Sequence, residues 1–582
     1  MPRSVSPHPL PPPPFALVQD GRRFLLFEAP LAELVARDAA GVRAALEEAD
    51  AALAAGHFVA GFLTYEAAAA FGFATRPPDP DGPPLVWLGV FDAPREAEPP
   101  RAEPGAPVPP SRWEPGLDAA GHAAALARIH ERIAEGDTYQ VNFTFPLRAP
   151  LAEDPLALFA RLLATQRPRH AALVDLGRFA VACASPELFF RLEGGLLTAR
   201  PMKGTAARGI TPEEDEAQAA CLRESEKERA ENLMILDMLR NDLGQVAEIG
   251  SVEVPALFEV ERYPTLLQMT STVTARSRAP LSAVLAALFP CASVTGAPKK
   301  RTMEIVAAIE GAPRGVYTGA VGWASPGGTA SFGVAIRTVV ADRERGLAHF
   351  GVGSGVVADS EAGPEYAECL LKARILEEPA FALLETMAFH PGEGYRRLEG
   401  HLARLAQSAR HFAFPLDMRR VEEALREAAA PASAIRARLL LHADGRVEVQ
   451  VSALPPPPAR PLHVGVAARP VDPRNVWLFH KTTRREAYEE AAASRPDCDE
   501  VLLWNDRGEL TESSAANVIV EVGGLRLTPP VACGLLPGVE RARAIAEGRA
   551  REAVVRLGDL RPGQRLWLLS SLRGVREAHL VG

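Results

Sequence analysis

Lysine is the scarcest charged residue in this chain of 582 residues: of 64 lysines and arginines only six are lysine, at positions 203, 227, 299, 300, 372 and 481. A guanidinium stays charged, whereas a buried amine can give up its proton and act as nucleophile, base or Schiff-base partner. Cysteine is scarce as well. The six cysteines are scattered without C-x-x-C spacing, which excludes a zinc ribbon or disulfide framework and fits a reducing compartment, so a cytoplasmic location is expected. Runs of about 18 apolar residues are missing, and the first residues, MPRSVSPHPLPPPPF, carry prolines where a signal peptide needs an apolar core, so no membrane segment is expected. A basic block is missing too. With a formal net charge of −9, the chain has no footprint for nucleic acid, and an anionic substrate would need locally placed arginines.

What is present is ample apolar content, 47%, and proline at the seams. At about 150 residues per domain the length allows roughly four units or two large ones. The proline-rich stretch from Arg76 to Pro110 reads as an extended surface connection with one strand, LVWLGVF, and LPPPPARP at Leu454 to Pro461 reads as a linker between two strand patterns. HAAALARIHERIAEG and ERAENLMILDMLRNDLG have helical spacing and stop at Gly136 and Gly244, while the stretch from Gly315 to Asp359 reads as strands with glycine turns. The passage from a helix through Pro379 into LLETMAF marks the main boundary, giving domains 1–375 and 380–582.

Four carboxylates stand out in the first domain. Glu228 and Glu231 are three apart on one predicted helix and Glu365 and Glu368 on another, so each pair shares a face, and both together could meet a hard cation such as Mg²⁺. The surrounding motifs are GDTYQVN, SPELFFRL, PMKGT, KERAENLMILDMLRNDLG, SVTGAPKKRTMEI, GVYTGAVG, AIRT and GVGSGVVADSEAGPEYAECLLKA. In this order they resemble the chorismate-utilising enzymes from about Gly121 to Ile375. The resemblance implies an α+β domain of two packed antiparallel sheets holding chorismate on Mg²⁺. It assigns Glu231 and Glu368 as main metal ligands with Glu228 and Glu365 in support, and Arg337 and Tyr317 as the grip on the substrate carboxylates. Gly353, Ser354 and Gly355 match a glycine-rich loop that meets the anion, with Gly204 and Thr205 as a further backbone contact. Glu187, in SPELF, matches a general acid for a departing hydroxyl.

The P-x-K-G-T form around Lys203 is that of the aminodeoxychorismate synthase branch of this family, where anthranilate and salicylate synthase relatives carry Ala. In that branch the lysine attacks C2 of chorismate as the C4 hydroxyl leaves, and ammonia then enters at C4, which gives a lysine-poor chain a reason to keep an amine here. Gln268 stands where anthranilate synthases carry His. Of the other lysines, Lys299 and Lys300 read as structural or anion-steering, and Lys227 and Lys372 as ordinary ion pairs on helices.

Lys481 lies ahead of a helix, and DEVLLWNDRGELTESSAANVIVEV after it reads as a hairpin with its turn at Asn505 to Gly508. Lys481, Glu512 in TESSAAN, the H-x-x-R-L helix with Arg404, and GLLPGVERARAIAE resemble the fold-type IV pyridoxal phosphate enzymes, which are two-lobed α+β domains. The small lobe would span about 380–454 and the large lobe about 461–582. The resemblance implies pyridoxal 5′-phosphate on Lys481, its ring nitrogen on Glu512, and its phosphate at Arg404 and at Gly538 and Val539, which open a helix. Two departures are visible: the glycine-rich first strand is missing, and Glu540 precedes Arg541 where relatives carry Thr, a carboxylate that must point away from a phosphate.

The combination implies a bifunctional synthesis of 4-aminobenzoate: amination of chorismate at C4, then elimination of pyruvate from 4-amino-4-deoxychorismate. No Gly-x-Cys-x-Gly nucleophile turn is present, so ammonia is expected from a separate glutamine amidotransferase subunit; a homodimer through the second domain is left open. Two alternatives stand beside this reading, an anthranilate synthase component fused to an aminotransferase-like domain, and an active synthase with a silent C-terminal scaffold.

Overall fold

The computed structural model describes residues 10–109, 112–264, 266–429, 433–456 and 460–582. The proline-rich N-terminus up to Pro9, Pro110, Thr265 and the centre of the 454–461 linker lie outside the described residues. The chain divides into two compact units. One takes the chain up to Ala102, Ala106–Ala207 and Gln218–Pro379; the other takes Ala380–Gly582 together with the short segments Glu103–Gly105 and Arg208–Ala217. Among the described residues no helix is long and apolar enough to cross a membrane.

The first unit is built on two ten-stranded antiparallel sheets. The order of one runs Gly296–Ala297, Gln140–Pro150, Leu347–Val356, Thr338–Asp342, Phe179–Ser185, His170–Asp175, Phe15–Asp20, Arg23–Glu28 and Arg95–Ala97. The other runs Met202–Ala207, Leu266–Arg276, Leu196–Arg200, Leu188–Glu193, Ala330–Val334, Ala320–Ala324, Phe58–Leu63, Val86–Phe91 and Ala32–Ala36; the tenth strand of each sheet lies off this path, Glu114–Pro115 beside Gln140–Pro150 and Glu253–Arg262 beside Leu266–Arg276. Phe27 from one sheet and Phe62, Trp87, Phe91 and Trp323 from the other pack into a shared core, so the two sheets lie face to face.

Two sequence expectations change here. Val86–Phe91 is no surface connection: all six residues are buried, with Leu88 and Val90 entering one core and Trp87 and Phe91 another. A strand apolar on both faces must be covered on both. Arg95–Ala97 adds a second strand to the same proline-rich stretch, paired with Arg23–Glu28. Gly353, Ser354 and Gly355 belong to the strand Leu347–Val356 rather than to a loop, and they pair with Thr144, Phe143 and Asn142. Burial alternates along that strand, so Ala348, Phe350, Val352 and Val356 enter the core while Gly351, Gly353 and Gly355 face the opposite side.

The helices Ala119–Ala134 and Glu226–Gly244 end within two residues of Gly136 and at Gly244, as their spacing predicts. Ser225 caps the second, its hydroxyl accepting from Glu228 N at 3.3 Å, which places Glu226 and Glu228 in the first turn where the helix dipole favours negative charge.

The second unit has two lobes. A four-stranded antiparallel sheet, in the order Gly394–Tyr395, Leu383–His390, Ile435–Leu441 and Val447–Ala453, packs against the helices Leu398–His411 and Met418–Ala428. An eight-stranded mixed sheet forms the other lobe, where Leu462–Val466 pairs in parallel with both Glu500–Trp504 and Gly574–Leu580. Glu500–Trp504 and Leu510–Ser513 form the expected hairpin, turning at Gly508 with φ 73°.

Candidate functional site

In the first unit, Lys203 sits on Met202–Ala207, which pairs with Leu266–Arg276 through a register shift between Met202 and Thr205. An extra residue of this kind re-aims a side chain out of the regular pleat, and Gly204 supplies the φ of 99° that goes with it. Amide side chains lace the irregularity in place. Asn232 Nδ2 donates to Lys203 O at 3.1 Å and its Oδ1 accepts from Ser271 Oγ at 2.6 Å, while Gln268 Nε2 donates to Gly204 O at 3.0 Å and its Oε1 accepts from Thr205 Oγ1 at 3.2 Å.

Lys203 Nζ enters a cavity of about 320 Å³ and donates to Asn142 Oδ1 at 3.4 Å. Gly355 makes this placement available, since a Cβ there would lie 2.5 Å from Nζ. Burial lowers the amine below its usual range, against the raising effect of Glu231. Glu187 lines the same cavity and is 3% exposed; its carboxylate accepts from Met202 N at 3.4 Å, and burial raises it to about 7. A deprotonatable amine and a carboxyl able to hold a proton near neutrality thus face one space.

The helices Glu226–Gly244 and Ala362–Ala373 bring all four glutamates to this cavity. Glu365 accepts from Ser360 Oγ at 2.7 Å, and Glu368 stands 2.7 Å from Lys372 Nζ, which also donates to Gly353 O at 2.8 Å. Burial raises Glu228 and Glu231, and the negative charge of Glu231 raises Glu228 further. Among the described residues no three His, Cys, Asp or Glu side chains are grouped closely enough to hold a metal by themselves. Mg²⁺ usually takes only one or two carboxylates, with waters and substrate oxygens completing its shell, so a hard-oxygen set under mutual repulsion fits it.

Arg337 and Tyr317 close the cavity. Arg337 adopts φ 49°, its Nη1 donates to Gln166 Oε1 at 3.0 Å, and burial lowers its pKa. The Tyr317 ring packs on Gly351, where a Cβ would lie 2.1 Å from the ring, and burial raises its hydroxyl. Sequence reasoning assigned no role to Gln140, Asn142 or Asn232, while the ion pair expected of Lys372 is made with Glu368 at the cavity wall. Gln140 is fully buried, and among the described residues neither of its amide atoms has a hydrogen-bond partner. The available signal was two amides at alternate positions of the strand sequence QVNFTF.

In the second unit, a cavity of about 440 Å³ brings together Lys481, Glu512, Arg404, Gly538 and Val539. The Lys481 backbone is pinned by Leu384 N, 2.9 Å from its carbonyl, and burial together with the Arg404 charge lowers its amine to about 8. Glu512 is 3% exposed and accepts from Tyr488 OH at 2.7 Å, Leu536 N at 2.9 Å and Asn517 Nδ2 at 3.0 Å, yet burial raises it to about 7. Gly538 caps the helix Val539–Ala546 where any Cβ would lie 1.7 Å from Asn517 Oδ1. Arg404 directs Nε and Nη2 to Glu385, at 2.8 and 2.7 Å, and Nη1 to Pro537 O at 3.2 Å. Glu540 is buried and answered by Arg397, Arg549 and Arg543 at 3.5, 3.3 and 3.7 Å, which neutralises the carboxylate that stands in place of Thr.

Residues 19–378 match the profile of the chorismate binding enzyme family. The chain belongs to that family. The part after this chorismate-binding region, residues 382–581, matches amino-transferase class IV. The chain is 43% identical over 273 residues to an aminodeoxychorismate synthase of Streptomyces griseus, covering 46% of this chain and 37% of that protein. It is 37% identical over 291 residues to an anthranilate synthase component 1 of Haloarcula marismortui, covering 50% of this chain and 59% of that protein. The chain therefore spans between about a third and three fifths of the length of these relatives. The crystal structure of anthranilate synthase component I from Streptococcus pneumoniae shares the fold, with TM-score 0.55 and 23% identity over 65% of this chain and 95% of that one.

Proposed function

We propose that the first unit aminates chorismate at C4 and that the second releases pyruvate from the product to give 4-aminobenzoate. The observation that carries this reading is Lys203, an amine of lowered pKa turned into a cavity by a backbone irregularity, opposite a protonatable Glu187. Lys203 Nζ forms a bond to C2 of chorismate as the C4–O bond breaks, and Glu187 gives its proton to the departing hydroxyl, which leaves as water. Ammonia then bonds to C4, and the Lys203 amine leaves C2. Arg337 and Tyr317 hold the substrate carboxylates, and Glu228, Glu231, Glu365 and Glu368 hold Mg²⁺, whose bound charge offsets that of the substrate. Ammonia comes from a glutamine amidotransferase partner.

The donor set of the second cavity fits pyridoxal 5′-phosphate: an amine lowered to about 8, a buried carboxylate for the ring nitrogen, and the N-terminus of Val539–Ala546 beside Arg404 for a phosphate. The bound cofactor supplies an electron sink for the carbon that loses its proton. The Lys481 amine removes the C4 proton of 4-amino-4-deoxychorismate, and Glu512 keeps a proton at the cofactor ring nitrogen. Loss of the enolpyruvyl group as pyruvate leaves the aromatic ring.

The similarity to an anthranilate synthase component 1 favours one second reading, amination at C2 of chorismate. Lys203 speaks for the C4 reading. The test is the product formed from chorismate, ammonia and Mg²⁺: 4-aminobenzoate supports the proposal, and 2-aminobenzoate replaces it with the second reading.

A further inference from the structure

The sheet face that carries Asn142, Gly353 and Gly355 runs on past the Lys203 cavity. By alternation, Gln140, Asn142, Thr144 and Arg148 share one face of the strand Gln140–Pro150, and Gly355, Gly353, Gly351 and His349 share it on the paired strand Leu347–Val356. The Tyr317 ring lies across this face on Gly351 and divides it. On one side is the cavity of Lys203; on the other is a second cavity of about 350 Å³, with Thr144, Tyr317, Phe350 and Gly351 lining both. Leu85, Phe179, Val316 and Val340 make the middle of the second cavity apolar. At its mouth the exposed Arg148 stands directly opposite His349, and among the described residues neither makes an ion pair. The carboxylates there are already answered, Asp342 by Arg178 at 3.0 Å and Asp79 and Asp81 by Arg345 at 3.8 and 2.8 Å. Thr64 also lines the cavity; it is 2% exposed, and among the described residues its hydroxyl has no hydrogen-bond partner.

We propose that this cavity is a second binding site, for an aromatic carboxylate, and that its occupant is 4-aminobenzoate: the carboxylate meets Arg148, the ring fills the apolar middle, and the amine donates to Thr64 Oγ1. The choice of occupant rests on the proposed function, which makes 4-aminobenzoate the chain's own product. The volume falls within the range of small-molecule sites, roughly 300–1,000 Å³. A guanidinium without a carboxylate partner takes a ligand carboxylate by charge-assisted hydrogen bonds, and a flat ring enters an apolar slot with little conformational entropy to lose. Tyr317 is a wall of both cavities, so a ring seated behind it restrains the residue that grips chorismate and slows the first reaction without entering the Lys203 cavity.

The test follows the initial rate of chorismate consumption by the full chain, with ammonia and Mg²⁺, as 4-aminobenzoate is added. The rate should fall, and saturating chorismate should not restore it, because the two ligands occupy different cavities. Arg148→Met should raise the 4-aminobenzoate concentration needed for half the effect about ten-fold and leave the uninhibited kcat and KM within about two-fold. Aniline, which lacks the carboxylate, should act about ten-fold more weakly than 4-aminobenzoate on the unchanged chain and be indifferent to Arg148→Met. Thr64→Val keeps the shape without the hydroxyl, so it should weaken 4-aminobenzoate about three-fold and leave benzoate, which lacks the amine, as it was. No slowing, full relief by chorismate, or equal sensitivity of the unchanged chain and Arg148→Met would overturn the site. Anything but a loss confined to 4-aminobenzoate in Thr64→Val would overturn the placing of its amine. Product analysis judges the reading of function separately: 2-aminobenzoate from chorismate would overturn that reading, while the Arg148 comparison still decides the second cavity.

Discussion

Gly355→Ala isolates the placement of the Lys203 amine. The new Cβ would lie 2.5 Å from Nζ and 2.6 Å from Gln140 Nε2, whereas ordinary contact begins near 3.4 Å, so the amine must retreat by about 0.9 Å. Nζ is the tip of a flexible side chain, so the backbone has no reason to move and the fold should tolerate the change. A displacement of about 1 Å in a reacting group costs on the order of 100-fold in rate, or about 2.7 kcal/mol of barrier. The assay is the steady-state consumption of chorismate with ammonia and Mg²⁺, run beside conversion of supplied 4-amino-4-deoxychorismate by the same preparation. The first rate should fall about 100-fold and the second should hold. Retention of the first rate to within about three-fold would refute the geometric argument.

Glu187 must be protonated to act as an acid and sits at about 7, so the first reaction should slow as pH rises through 7, and the residual rate of Glu187→Gln should lose that dependence; the same alkaline fall in the variant would assign it elsewhere. Glu231→Gln and Glu368→Gln each keep size while removing a charge, so each should raise the Mg²⁺ concentration needed for half-maximal chorismate consumption; an unchanged requirement in both would remove the metal from these carboxylates. Lys481→Ala should stop 4-aminobenzoate formation and let 4-amino-4-deoxychorismate accumulate; arrested chorismate consumption in that variant would contradict two independent sites.

The helices, most strands and the residues around both cavities were legible because they rest on local pattern: helical spacing, alternation, and motifs in a fixed order. What escaped depends on contacts distant in sequence. GVGSG looks like a loop because glycine usually marks one, yet its register against Gln140–Pro150 extends it as a strand whose missing side chains leave room for Lys203. The aim of Lys203 comes from a pairing irregularity with residues more than sixty positions away, which no local signal encodes. Arg208–Ala217 belongs with the second unit although its neighbours on both sides lie in the first, and nothing in RGITPEEDEA announces it. Glu385 was passed over because a lone carboxylate in a strand carries no meaning until His401 and Arg404 are seen above it.

The most direct measurement is the formation of 4-aminobenzoate from chorismate, ammonia and Mg²⁺ by the full chain loaded with pyridoxal 5′-phosphate, compared with Lys203→Ala and Lys203→Arg. The unchanged chain should release 4-aminobenzoate and pyruvate in equal amounts. Both variants should release neither from chorismate, since Arg restores charge without a free amine, while still converting supplied 4-amino-4-deoxychorismate. Formation of 4-aminobenzoate from chorismate by Lys203→Ala at the unchanged rate would contradict the account.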